Sequence, residues 1–244
     1  MTTTELYDRY GKPYEVRVRR VDGKAPEPHA PPHAIYPMTP SLPAHETLDP
    51  EIVISDYGTS FIASQTPSPT LHTPALYAPP EDFFVDPITP AADIWTLGVN
   101  LYEVLGRRSL FETWARDKYD IIAEMVNTLG PLPARWWDSW ANHGESFEPN
   151  GERLSEFRRT GTPPFRRLHQ RLWDMGRGET PETCQWNIAG GELQALENFL
   201  RGMIAFEPID RLPAEQLMAS EYMIKWALPA WERQLRRKEG LKIK

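Results

Sequence analysis

Ile52-Val53-Ile54-Ser55-Asp56-Tyr57-Gly58 opens a stretch that passes through Ala78-Pro79-Pro80-Glu81 and closes on Asp93-Ile94-Trp95-Thr96-Leu97-Gly98. The β-branched run Ile52-Val53-Ile54 predicts a strand leading into Asp56, with Phe61-Ile62 as its return partner, hence a short β-hairpin near 52–62. Residues 63–80 hold small polar residues and prolines and predict a long surface loop. From Ile94 to Leu105, Trp95, Leu97, Val99, Leu101, Tyr102 and Val104 lie all round the helical wheel, the pattern of a helix buried on every side. The segment is short and flanked by Asp93 and Arg107-Arg108, which suits a protein core and not a bilayer.

Helical spacing continues downstream. Tyr119, Ile122, Met125, Val126 and Leu129 share a face that Gly130-Pro131 terminates. Leu193, Leu196, Leu200 and Met203 form another, and Pro213 starts a helix carrying Leu217 and Met218. Tyr222 to Ala227 prolongs that helical region to Pro229. Upstream the character changes: 16 of the 25 prolines lie in residues 1–90, which excludes a helix-rich first third. Tyr14-Glu15-Val16-Arg17-Val18 alternates as a short strand does, and Glu27 to Pro50 reads as an extended connection. The fold class is therefore mainly α, with a Pro-rich, largely irregular 1–50, a helical body over 51–235 (its helical part 91–235) and a basic tail at 236–244, read as a solvated terminus.

The chain has 244 residues, 40% hydrophobic and 25% charged, enough for a sizeable core. Its net charge of -7 argues against general affinity for nucleic acid or for an anionic membrane. No stretch reaches the roughly 20 apolar residues of a membrane helix, and Met1-Thr2-Thr3-Thr4-Glu5 carries no secretory pattern. Cys184 is the only cysteine, so no intrachain disulfide forms; a cytoplasmic or nuclear location is expected.

In this order and spacing, with Arg211 near the far end, the motifs resemble the C-terminal lobe of a eukaryotic-type serine/threonine protein kinase, from about Glu51 to Trp231. More narrowly the chain is similar to the fungal kinases related to SR-protein-specific kinases. That similarity rests on Ile54-Ser55-Asp56-Tyr57-Gly58, Tyr77-Ala78-Pro79-Pro80-Glu81, Leu129-Gly130-Pro131-Leu132-Pro133 with Trp136-Trp137, and Lys225-Trp226-Ala227-Leu228-Pro229. Leu6-Tyr7-Asp8-Arg9-Tyr10-Gly11 looks like the insert such kinases place before the metal-binding Asp.

The resemblance implies an activation segment over 56–81 and a role for each matching residue. Asp56 would be the Mg²⁺ ligand, with Gly58 giving the loop its freedom and Tyr57 standing where Phe is usual. A plain strand-ending Asp-Tyr-Gly turn is the competing reading. Thr73 and Tyr77 would position substrate, although His72-Thr73-Pro74 departs from the commonest Gly-Thr pattern. Glu81 and Arg211 would form the ion pair that ties the segment to the helical lobe. Asp93 would accept backbone amides at the start of the central helix, as a cap or from a catalytic loop, while Trp95 and Gly98 pack. Thr66-Pro67 and Ser68-Pro69 are either phosphosites or ordinary loop, and Trp136, Trp137 and Trp140 read as core packing in preference to a ligand platform.

The other half of the resemblance is missing from the sequence. There is no Gly-x-Gly-x-x-Gly, no His followed two residues later by Asp, and none of the twelve aspartates has Asn five positions on. The N-terminal lobe and catalytic loop are thus absent, and no catalytic residue of the family is present. The expectation is weak or no binding of ATP and Mg²⁺ by this chain, and no phosphoryl transfer, with both belonging to a full-length form that acts on a protein substrate, Arg/Ser-rich by resemblance. The alternatives are a non-catalytic pseudokinase-type binding module, with a protein partner over the face left open, or an unstable gene fragment.

Overall fold

The computed structural model describes residues 2–25, 27–36, 51–65, 70–106, 108–113, 117–141, 143–152, 154, 166–175 and 185–242. They fall into two compact units, one drawn from Met1–Glu51 with Gln234–Lys244 and one from Ile52–Arg233.

In the first unit, α1 (Thr3–Tyr10) occupies the proline-free start. Thr2 accepts the amide of Glu5 at 3.2 Å while the Glu5 carboxylate accepts the amide of Thr2 at 2.6 Å, a closed capping box. β1 (Glu15–Arg17), where the alternation of Tyr14–Val18 predicts a strand, pairs antiparallel with β2 (His33–Ile35), Val16 opposite Ala34.

The second unit is helical: α2 (Pro80–Phe83), α3 (Ala91–Gly106), α4 (Lys118–Leu129), α5 (Ala134–Ser139), α6 (Leu168–Trp173), α7 (Glu192–Met203) and α8 (Ala214–Met218). α3 packs on α7, and α7 also carries α6 and α8. The core joins Trp95, Val99 and Tyr102 of α3 to Leu196, Leu200 and Met203 of α7 and to Ile122 and Met125 of α4. Trp136, Trp137 and Trp140 are buried in it, Trp137 meeting Trp140 edge-on at 6.0 Å, so core packing accounts for them. A π-helical turn over Met223–Ala227 runs into α9 (Leu228–Lys242). Helix therefore continues past Pro229. The wider turn bonds the Leu228 amide to the Met223 carbonyl, and Pro229, which has no amide to donate, stands second in α9. No helix among the described residues is long and apolar enough to cross a membrane.

Two expectations are corrected. No hairpin forms over 52–62: residues 51–56 are irregular, a 3-10 turn covers Tyr57–Thr59, and Phe61-Ile62 is no strand. A β-branched run makes a strand only when another strand satisfies its amides, and Ile52, Val53 and Ile54 stand largely exposed without one. Nor is α3 buried on every side, since Leu97, Val104 and Leu105 face out.

Gly98 sets the approach of α3 to α7. A Cβ there would lie 2.9 Å from both the Met203 Cβ and the Ile204 Cγ2, and a Cβ anchored to a helix backbone cannot swing aside. Alanine gains about 1 kcal/mol of helix propensity, but overpacking costs about 1–3 kcal/mol. Gly98→Ala is expected to lower stability by up to about 2 kcal/mol net, read as a lower urea midpoint with an unchanged slope.

Candidate functional site

Asp56 sits at the entrance to the 3-10 turn with φ 65° and ψ 54°, and its side chain is exposed and makes no cap hydrogen bond. The left-handed backbone thus falls on Asp56 and not on Gly58, whose added Cβ would come no nearer than 3.9 Å to the Asp56 Oδ1. Aspartate tolerates this region better than most residues, at a cost of about 1–2 kcal/mol. Tyr57 is mostly exposed. Thr66-Pro67 and Ser68-Pro69 lie outside the described residues.

Thr73 is half-buried, and no hydrogen bond joins it to Asp56 among the described residues. Tyr77 is tied to α3 twice. Its hydroxyl donates to the Glu103 carboxylate at 2.5 Å, and its carbonyl accepts the Thr96 hydroxyl at 3.1 Å. Thr96 and Glu103 stand seven residues apart on one helix face, a signal that the sequence held and that points to a shared partner.

Glu81 and Arg211, 130 residues apart, meet with both side chains 0% exposed. Pro79 and Pro80 start α2 and place Glu81 in its first turn, where the helix dipole favours a carboxylate. A 3-10 turn over Pro208–Asp210 delivers Arg211. Its Nη1 and Nη2 donate to the two Glu81 oxygens at 2.8 and 2.6 Å. The remaining donors reach backbone carbonyls: Nε to Ala205 at 2.9 Å, Nη1 to Ala91 at 2.9 Å and Nη2 to Phe206 at 3.0 Å. All five guanidinium N–H groups are thereby used. The guanidinium carbon lies 5.0 Å from the ring centroid of Trp95, which is itself stacked with Phe111 and Phe206. The start of α2, the start of α3 and the loop after α7 are thus clamped at one point.

Beside the clamp, burial pushes the Asp82 carboxyl above its ordinary value. The Glu81 charge adds to that rise, and the Leu71 amide and the Lys118 charge oppose it. Val85 follows α2 with φ 59°, in the left-handed C′ position where glycine is usual, and the Asp86 amide closes back on the Glu81 carbonyl at 2.9 Å. Asp86 accepts the Trp136 indole at 2.8 Å and pairs with Arg135, whose guanidinium also reaches Glu207 at 2.7 Å and lies 4.3 Å from the Trp136 ring centroid. This outer tie escaped sequence reading, although Arg135 adjoins the Trp136-Trp137 string. Being half exposed, it is worth about 1 kcal/mol or less.

Asp93 is the third residue of α3 and exposed, so it acts on the helix dipole and is not the cap. The Thr89 hydroxyl accepts the Ala91 amide at 3.3 Å instead. No group of three or more His, Cys, Asp or Glu side chains among the described residues could hold a metal ion. Residues 45–223, well over half of the chain, match the family model described as protein kinase domain. No curated protein matches the chain.

Proposed function

The chain belongs to the protein kinase domain family, and from that premise we propose that it is the helical, substrate-side half of a serine/threonine phosphotransferase that transfers no phosphate by itself. The observation that carries the reading is the doubly bonded, fully buried Glu81–Arg211 pair, set between residues that follow the kinase order. That clamp fixes the end of the activation segment against α3, and Glu103 and Thr96 hold Tyr77 there.

Asp56 is the residue that the resemblance assigns to Mg²⁺, and its left-handed backbone is the kind of strain that functional sites retain. Mg²⁺ needs near-octahedral oxygen donors, usually one or two carboxylates with substrate phosphates. Asp56 alone supplies a single exposed carboxylate, and the sequence has neither the phosphate-covering glycines nor the Asn that would complete the set. The residues present do not make a site for Mg·ATP, and no catalytic step is assigned to them. The serine/threonine specificity and the Arg/Ser-rich substrate class rest on resemblance, with a net charge of -7 only weakly in favour of a basic partner.

Calorimetric titration of the purified chain with Mg·ATP is expected to give no saturable heat below about 1 mM, and a γ-phosphate transfer assay no time-dependent product, with Asp56→Ala changing neither. Saturable micromolar binding lost in Asp56→Ala, or product formation, would overturn the inactive reading. A second reading, a non-catalytic protein-binding module, is favoured by the exposure of Ile52, Val53, Ile54 and Tyr57 along one short segment.

A further inference from the structure

No further inference is drawn: the strongest candidate, the exposed apolar surface segment of Ile52, Val53, Ile54 and Tyr57 around the start of the 3-10 turn, belongs to the site already described, and nothing in the structure shows what covers it.

Discussion

Arg211→Met is expected to remove about 3–5 kcal/mol of stability, enough to unfold a domain at the low end of the ordinary range of about 5–15 kcal/mol. The substitution strips the pair from Glu81, which then sits 0% exposed with its charge unanswered, and frees the carbonyls of Ala91, Ala205 and Phe206 at once. Arg211→Lys keeps the charge but not the planar fork, so it recovers part of the loss and no more. The informative variant is the double replacement Glu81→Leu with Arg211→Met. A buried ion pair exchanged for apolar residues of similar size is often neutral. Here the Ala205 and Phe206 carbonyls lose the Arg211 donor, while the Ala91 carbonyl keeps its partner within α3, so the double variant is expected to remain destabilised by about 1–3 kcal/mol. Urea unfolding of the two single variants and the double variant closes the cycle. A double variant as stable as the parent chain would mean that the backbone bonds of Arg211 contribute nothing.

What could be read from the residues depended on whether a partner was named alongside the feature. Glu81 and Arg211 were legible as a contact because each belongs to a string whose order implies the other, and α4, α7 and α8 were legible because apolar spacing specifies a helix by itself. The hairpin at 52–62 was not, because strand formation is a property of two segments and β-branched composition describes one. The same limit explains α3. Its wheel shows which residues are apolar, but not which faces find a neighbour within the chain. Asp93 is not the cap for a local reason: α3 already starts at Ala91, whose amide the Thr89 hydroxyl accepts, which puts Asp93 inside the helix.

The least legible feature of the core carries the second large expected effect. Glu124 of α4 and Arg171 of α6 are buried and joined at 2.6 Å, with Arg171 also donating to the carbonyls of Leu110 at 3.0 Å and Arg166 at 3.0 Å. Neither belongs to a recognisable string, and in α4 the polar Asn127 and Thr128 are buried beside Glu124. Glu124→Ala leaves the guanidinium enclosed without a counter-charge and takes the acceptor from the Asn127 amide, which donates to the other Glu124 oxygen at 2.7 Å. A loss of about 3–5 kcal/mol is expected. Glu124→Gln keeps the shape and one oxygen acceptor but not the charge, and a loss of about 1–3 kcal/mol is expected. If the gap between the two variants vanishes, charge is irrelevant at this point and the pair acts only as a packing element. If it holds, α4 and α6 are fixed to one another by a charged bond that the Glu81–Arg211 clamp does not touch. Losses from Glu124→Ala and Gly98→Ala should then add, since the two sites share no hydrogen-bond partner among the described residues.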